Sequence, residues 1–135
     1  MTPITIRAHV AASLTHTWTC WTSPEHITQW NFAGDDWHCP SATNDLRTGG
    51  KFTARMEAKD GSFGFDFKGI YEQVIPFALI RYTMEDGRKV EVRFEESGDG
   101  TVVTETFDPE SENPIDMQRD GWQMILNNFK RHAEK

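Results

Sequence analysis

The sequence predicts an α+β fold in which a curved antiparallel sheet wraps around a long C-terminal helix. Two observations lead to this prediction. Between residues 50 and 107, short segments that alternate apolar and polar side chains follow one another across Gly- and Asp-containing turns, as in an antiparallel meander. A helical repeat then runs from Met117 to His132. The length of 135 residues suits a single domain, which we expect to span residues 1–135.

The N-terminal part predicts one strand and two short helices. Residues 4–10 alternate apolar and polar side chains, which is the period of a strand with one buried face. Ser13 has the position of an N-cap for a helix whose apolar residues within 14–21 share one face. The Ser-Pro-Glu run at residues 23–25 starts a second helix, because proline is favoured at the first helical position and an acidic residue in the first turn.

The middle of the chain predicts a loop followed by a hairpin. Asn31–Ala42 shows neither a helical nor a strand period and indicates a loop, and Asn44–Arg47 indicates a short strand. Phe52–Ala58 alternates clearly and is followed, after a turn, by a strand that begins at Phe63. In that strand the apolar face changes at Gly69, which predicts a bulge or bend at the glycine.

The last third of the chain predicts more antiparallel strands and then the long helix. Residues 79–84 and 90–94 form a hairpin, and a final strand ends at Phe107, so about six antiparallel strands follow the two short helices and the sheet has about seven strands in all. The helix of residues 117–132 contains Gly121, although glycine in a helix interior costs about 1 kcal/mol relative to alanine. We therefore expect the helix backbone to pass close to the sheet at Gly121, with the adjacent Trp122 as its anchor.

The composition excludes several classes of protein. The net charge of −7 comes from 21 acidic and 14 basic residues, and no basic stripe appears, so binding to nucleic acid is not expected. The N-terminus lacks the pattern of a secretory signal, and no apolar run approaches the roughly 20 residues that span a bilayer. These observations predict a cytoplasmic protein without a membrane span.

The cysteines and histidines do not follow a metal-binding pattern. Cys20 and Cys39 are too few and too irregularly placed for a disulfide scaffold or a zinc framework. His38 adjoins Cys39 and His26 follows Cys20, but sequence neighbours rarely ligate one ion, and no His-x-x-x-His or Cys-x-x-Cys pair exists. We expect free thiols, no metal site and no cofactor. Nucleophile-elbow, phosphate-loop and dinucleotide motifs are also missing.

Several motifs together resemble a known family. They are Trp30, the Asp-Leu-Arg-Thr-Gly-Gly-Lys-Phe stretch of residues 45–52, the Gly-Ile-Tyr-Glu of residues 69–72, and Gly121-Trp122 with Leu126, Asn128, Phe129 and Lys130. In these the chain resembles the bacterial SRPBCC (START-like) proteins related to the C-terminal domain of the activator of the ninety-kilodalton heat-shock chaperone ATPase. The resemblance implies a helix-grip fold, with a seven-stranded sheet around the terminal helix and an apolar cavity. The superfamily includes lipid and polyketide binders, cyclases, hydrolases and co-chaperone modules, so fold alone does not fix the function.

A set of apolar residues is predicted to line this cavity, because small-molecule sites are largely apolar with a few placed polar groups. The set consists of Trp30, Phe32, Trp37, Met56, Phe65, Phe67, Tyr71, Met117, Trp122 and Ile125. For each of them, ordinary core packing is the alternative. Trp30, Trp37, Tyr71 and Trp122 are the residues we most expect to contact a ligand. The polar tips of Tyr71 and Trp122 either orient a ligand or bond to the backbone.

Three functions remain open from the sequence. The first is binding of a small hydrophobic ligand, lipid-like, aromatic or polyketide-like, in the cavity. The second is an enzyme of the cyclase or hydratase type, which needs an ionisable group inside the cavity. The acid–base candidates, Asp35, Asp36, Asp66, Arg47, Arg55 and Arg81, are more easily explained as solvated charges. The third, implied by the resemblance, is a module that contacts the chaperone. A homodimer is a possible assembly.

Overall fold

The computed structural model describes residues 2–135, which form seven strands and three helices. In chain order these are β1 (Ile4–Val10), α1 (Leu14–Thr22), α2 (Pro24–Ile27), β2 (Trp37–Asn44), β3 (Lys51–Ala58), β4 (Gly64–Ile75), β5 (Leu79–Met84), β6 (Lys89–Ser97), β7 (Gly100–Phe107) and α3 (Ile115–Ala133). The strands form one antiparallel sheet in the order β1-β7-β6-β5-β4-β3-β2. The predicted helix-grip fold is thereby confirmed. None of the helices within residues 2–135 is both long and apolar enough to cross a membrane.

The C-terminal half of α3 fastens the helix to β1 and α1. Leu126, Phe129 and Ala133 face inward, and each is at most 1% exposed. The ring of Phe129 meets those of Trp21 and Trp30 edge to face, with centroids 4.9 Å apart in both pairs. Full burial of an aromatic side chain contributes about 1.5–3 kcal/mol, so this cluster accounts for much of the attachment of the helix.

The edge strand β2 differs from the prediction. The sequence indicated a loop over residues 31–42 and a strand over residues 44–47, whereas β2 takes up the second half of that loop and ends at Asn44. Its register with β3 shifts between residues 38 and 41, around Pro40. Proline is tolerated on an edge strand, where its missing N–H breaks no ladder on the open side. Because the irregularity interrupts the alternation of side chains, the sequence concealed this strand.

The bulge in β4 lies three residues beyond the predicted position. Along the register with β5, Tyr71 and Gln73 pair with adjacent residues, which leaves Glu72 as the extra residue of the bulge. Before the bulge the inner face carries odd-numbered residues, and after it Val74 packs against the core. The change of face that the sequence showed near Gly69 is therefore produced by Glu72.

Gly69 is required for a different reason, which is a close contact. A Cβ at this position would lie 2.8 Å from the carbonyl oxygen of Thr83 and 2.9 Å from the ring of Phe52. The glycine therefore leaves room for the Phe52 ring close to the backbone of β4.

Helix ends follow the local signals closely. The Ser13 hydroxyl accepts a hydrogen bond from the backbone N–H of His16 at 3.1 Å, so this serine caps α1 as predicted. Pro24 occupies the first turn of α2, although the side chain of Ser23 makes no capping bond. The helix α3 begins directly after Pro114, two residues before the predicted start.

Gly121 does not mark a close contact, and this expectation was wrong. A Cβ at this position would meet no atom within 4 Å beyond the neighbouring helix backbone. The reason is that α3 packs mainly on β1 and α1 through its C-terminal half, so the helix stands away from β3 and β4 near Gly121. The adjacent Trp122 reaches across this space instead.

Candidate functional site

A cavity of about 450 Å³ lies between the inner faces of β3, β4 and β5 and the helices. Most of the side chains that line it are aromatic or aliphatic. Seven of the ten residues predicted for the site line this cavity: Trp30, Met56, Phe65, Phe67, Tyr71, Trp122 and Ile125. An apolar wall interrupted by a few polar groups is typical of small-molecule sites.

The other three predicted residues, Phe32, Trp37 and Met117, lie outside the cavity wall. Phe32 packs against the core in the segment before β2. Trp37 starts β2, and its ring lies edge-on to those of Phe63 and Phe65 at centroid distances of 6.0 and 6.1 Å. It therefore stands beside the rim. Met117 is 60% exposed on the first turn of α3.

Gln118 explains why Met117 points outward. Its side-chain oxygen accepts a hydrogen bond from the backbone N–H of Glu110 at 2.8 Å, and its amide nitrogen donates to the carbonyls of Glu110 and Asn113 at 3.0 and 2.8 Å. Gln118 thereby satisfies backbone groups of the segment before α3 and is buried. Because consecutive residues of a helix are about 100° apart, Met117 is turned toward solvent.

Two aromatic residues of the wall are held by hydrogen bonds within the protein. The indole N–H of Trp30 donates to the carbonyl of Cys20 at 2.9 Å. The Tyr71 hydroxyl donates to the side-chain oxygen of Asn44 at 2.6 Å, and the amide of Asn44 donates to the carbonyl of Thr22 at 2.7 Å. Burial raises the pKa of Tyr71 above its ordinary value, so the phenol stays neutral. The polar groups of both side chains already have hydrogen-bond partners in the protein, so the two rings form a rigid part of the cavity wall.

Trp122 forms the part of the cavity wall between β7 and β4. Its ring stacks flat on Phe107 of β7, with centroids 3.9 Å apart and an interplanar angle of 7°. Its edge approaches Phe67 of β4 at 6.1 Å. Trp122 thus connects two strands that are far apart in the sheet order, and it closes one side of the cavity.

Glu105 places a carboxyl group in this wall. It lies on the inner face of β7, opposite Ile6 and Val92, and is only 6% exposed. Burial raises its pKa from 4.5 to about 8, and no hydrogen bond or opposite charge within residues 2–135 offsets that effect. At neutral pH the group is therefore a carboxylic acid with one O–H to donate. Burial also raises the pKa of Tyr82, and Glu105 adds to that effect, so the two groups lie near each other.

The sequence reasoning missed Glu105, although a signal was present. Thr101, Val103 and Phe107 form the inner face of β7, and all three are fully buried. Glu105 belongs to the same alternating series as these three residues, so its carboxyl lies on the buried face of the strand. The alternation of β7 therefore predicts a polar residue within the apolar face of this strand.

Charged side chains surround the mouth of the cavity as paired ions. Lys68 pairs with Glu85 at 3.1 Å, and Arg88 pairs with Asp86 at 2.8 Å. Such exposed pairs contribute little stability. They do mark the cavity mouth as polar and its interior as apolar.

The acid–base candidates from the sequence do not reach the interior. The residues Asp35, Asp36, Arg47 and Arg81 are exposed. Asp66 touches the cavity mouth, and its carboxylate lies 3.4 Å from the guanidinium of Arg55. Glu105 is therefore the better candidate for chemistry or hydrogen bonding inside the cavity.

Comparison with solved structures finds close relatives across nearly the whole chain. An AHSA1-like protein from Aeromonas hydrophila is 43% identical, with a TM-score of 0.93, and the match covers 98% of this chain and 92% of that one. A protein from Cytophaga hutchinsonii is 50% identical, with a TM-score of 0.84 and coverage of 97% and 91%. A relative from Colwellia psychrerythraea, described as a dimer, is 16% identical with a TM-score of 0.75 and coverage of 99% and 97%, and so shares the fold. The sequence matches no curated protein.

The family comparison covers almost the same range. A family model described as activator of Hsp90 ATPase homolog 1-like protein matches residues 11–134. This agrees with the resemblance carried by Trp30, Gly121 and Trp122, and it fits a ligand-binding or chaperone-related module. With the fold, the cavity and these matches taken together, the chain belongs to the family of activator of Hsp90 ATPase homolog 1-like proteins.

Proposed function

We propose that the protein binds a small hydrophobic molecule in the cavity, and that Glu105 donates a hydrogen bond to a neutral acceptor on that molecule, such as a carbonyl. The observation that carries this proposal is the buried, unpaired carboxyl of Glu105 in the wall of an otherwise largely apolar cavity of about 450 Å³.

The energetics of Glu105 favour a ligand with an acceptor group. The carboxyl of Glu105 borders the cavity and has no hydrogen-bond partner within residues 2–135. A net hydrogen bond to a ligand carbonyl would contribute about 0.5–1.5 kcal/mol to binding. An anionic group at the same depth would lose its hydration without meeting a positive charge. The aromatic rings of Trp30, Phe67 and Trp122 supply apolar contact for the remainder of the ligand.

A matched pair of probes tests this proposal. 2-Acetylnaphthalene carries a carbonyl, and 2-isopropylnaphthalene has nearly the same shape without one. We expect tryptophan fluorescence titrations to show that the ketone binds about tenfold more tightly, which corresponds to one net hydrogen bond. The preference should disappear in Glu105→Leu and persist in Glu105→Gln, which keeps a donor. Equal affinities in the unsubstituted protein, or no binding of either probe, would contradict the proposal.

An enzyme of the cyclase or hydratase type is the second candidate, and the same carboxyl favours it. A carboxylic acid with a pKa near neutrality is suited to general acid catalysis, and the phenol of Tyr82 lies nearby. Incubation with a panel of unsaturated polyketide-like ketones, followed by mass spectrometry and chromatography, tests it. Hydration adds the mass of one water, and cyclisation changes retention at constant mass. Binding of these ketones without any change in either property argues for a binding protein alone.

The description of the family favours a third candidate, which is contact with the ninety-kilodalton chaperone. A pull-down with the purified chaperone tests it, with a Phe63→Ala variant to find out whether the exposed ring of that residue takes part. Failure of the two proteins to associate at micromolar concentration excludes this function. Sedimentation of the isolated protein shows in parallel whether it forms the homodimer that we consider a possible assembly.

A further inference from the structure

A second cluster of chemical groups lies away from the cavity, where α1, α2 and the end of α3 meet. Cys20 of α1 is fully buried, His26 belongs to α2, and His132 is in the last turn of α3. One ligand atom from each of these residues lies within 4.8 Å of those of the other two. Nδ1 of His26 and Nε2 of His132 are 2.9 Å apart. The fold thus gathers a thiol and two imidazoles from three separate helices.

A third imidazole borders the same thiol. His16 precedes Cys20 by one helical turn, and its Nε2 lies 3.4 Å from the Cys20 Sγ. His16 is exposed, whereas Cys20 is enclosed, so the cluster opens to solvent at His16. An ion can therefore reach the thiol from this side.

The protein alone does not satisfy this cluster. Nδ1 of His132 is enclosed and has no hydrogen-bond partner within residues 2–135. In its contact with His26, one ring donates and the other accepts, and in either tautomer the second nitrogen of His132 is left without a partner. Polar atoms in this state are rare in folded proteins. An ion bound at Nδ1 of His132 would occupy this nitrogen, whereas an ion bound at Nε2 would replace the contact with His26.

Two of the separations lie near those of a tetrahedral zinc site, and the ligand atoms of Cys20, His26 and His132 all lie within 4.8 Å of one another. Zinc bonds of about 2.0–2.1 Å to nitrogen and about 2.3 Å to sulfur place two nitrogens about 3.3 Å apart and a nitrogen and sulfur about 3.5 Å apart. The contact of His16 with Cys20 at 3.4 Å already agrees with this geometry. The two rings of His26 and His132, at 2.9 Å, need to separate by a few tenths of an ångström.

We propose that Cys20, His26 and His132 bind one Zn²⁺ ion, and that the exposed side chain of His16, which already contacts Cys20, turns to become the fourth ligand. A thiolate with three imidazoles is a ligand set that borderline-soft divalent metals prefer over Mg²⁺ or Ca²⁺. The ion would tie the last turn of α3 to α1 and α2.

The protonation states are compatible with this site. Burial lowers the pKa of His132, and the charges of His26, Lys135 and His16 lower it further, so its ring is neutral and able to ligate. Burial raises the pKa of Cys20, so a bound cation has to displace the thiol proton.

Cobalt substitution is the most direct test. Protein stripped of metal by a chelator is titrated with Co²⁺, which reports a tetrahedral thiolate site by visible d–d bands and a near-ultraviolet sulfur-to-metal band. We expect both, and we expect Zn²⁺ to displace the Co²⁺. Cys39→Ser is the matched control, because Cys39 is also buried and adjoins a histidine but lies on β2.

The variants decide whether these residues are the ligands. Cys20→Ser should abolish the sulfur band, and His132→Gln should weaken zinc binding at least about tenfold in calorimetry. His16→Ala changes an exposed residue and remains informative if a buried substitution fails to fold; it too should weaken binding. Cys39→Ser should bind as tightly as the unsubstituted protein. Absence of the sulfur band, or its loss in Cys39→Ser and not in Cys20→Ser, overturns the proposal.

Discussion

The two ends of α3 differ sharply in how they meet the rest of the protein. At the C-terminal end, Leu126, Phe129 and Ala133 are at most 1% exposed. At the N-terminal end, Met117 is 60% exposed, and a side chain added at Gly121 would touch nothing within 4 Å. The C-terminal end of the helix therefore packs into the core, whereas the N-terminal end is held mainly by the hydrogen bonds of Gln118 to the segment before the helix. The space at its other end results from this asymmetric attachment.

The sheet shows the same division. On the side of β1, β6 and β7, inner residues such as Val10, Val92 and Val103 are completely buried. On β4, the inner residue Phe65 is 40% exposed. Apolar side chains such as that of Phe65 remain accessible on this half of the sheet, which we call the open half. Exposed apolar surface of this kind is typical of a ligand-binding site. The exposed apolar side chains of the inner sheet face thus lie on the half that contains β4, where we propose that most of the ligand binds.

Phe129→Ala should have the largest effect, because it removes the ring that joins α3 to Trp21 and Trp30. We expect a loss of about 3–5 kcal/mol in the free energy of unfolding, measured by urea denaturation. Phe65→Ala is the control on the open half and should cost less than about 1 kcal/mol. Similar losses in the two variants would show that the two halves do not differ in this way.

The next largest effect concerns pH and Glu105. Because the folded-state pKa is raised from 4.5 to about 8, the folded protein binds an extra proton between these values. The contribution of Glu105 to the free energy of unfolding should be fully present below pH 4.5. It should fall by up to about 1.4 kcal/mol per pH unit as the pH rises toward 8. Solvent that enters the cavity should limit the total to about 3 kcal/mol. In Glu105→Gln this decline should be absent, and an unchanged slope in thermal melts would contradict the assignment.

Trp122→Ala should have an intermediate effect, since the ring is half-buried and stacks on Phe107. We expect a loss of about 2 kcal/mol, less than for a fully buried aromatic residue. The enlarged cavity should also bind the fluorescent probe 1-anilinonaphthalene-8-sulfonate more strongly. A loss as large as that of Phe129→Ala would make Trp122 a core residue rather than part of the wall.

Two glycines should respond in opposite directions and with the smallest effects. Gly121→Ala should stabilise the protein by up to about 1 kcal/mol, because alanine favours the helix and meets no obstacle. Gly69→Ala should destabilise it, because the added Cβ would lie 2.8 Å from the oxygen of Thr83. If Gly121→Ala destabilises the protein, the helix does pass close to the sheet at Gly121, as the sequence suggested.

Most of the fold was accessible from the sequence because side-chain periods are local. Residues 4–10 and Phe52–Ala58 show their strands directly, as the alternation there is uninterrupted. The strand β2 was missed because Pro40 and the irregular register of an edge strand break its period. The local pattern predicts a loop over residues 31–42 and a strand over residues 44–47, whereas pairing with β3 forms the strand over Trp37–Asn44.

The candidate site was less accessible, because it depends on which residues meet across the fold. Met117 and Gln118 are adjacent, and only the hydrogen bonds of Gln118 to the preceding segment decide which of them turns inward. Likewise, His26 and His132 are separated by more than a hundred residues, so no spacing rule brings them together. Periodicity predicts a buried face, whereas the partners on that face come from the three-dimensional arrangement.

The most direct test of the division between the two halves is a nuclear magnetic resonance titration with 2-acetylnaphthalene. The account predicts that the methyl signals of Met56 and Met84 and the indole signal of Trp122 shift, because these groups line the cavity. The methyl signals of Val10 and Val103, in the closed half, should stay in place. No shifts at saturating probe, or shifts confined to the exposed surface around Met117, would contradict a ligand cavity at the open end of α3.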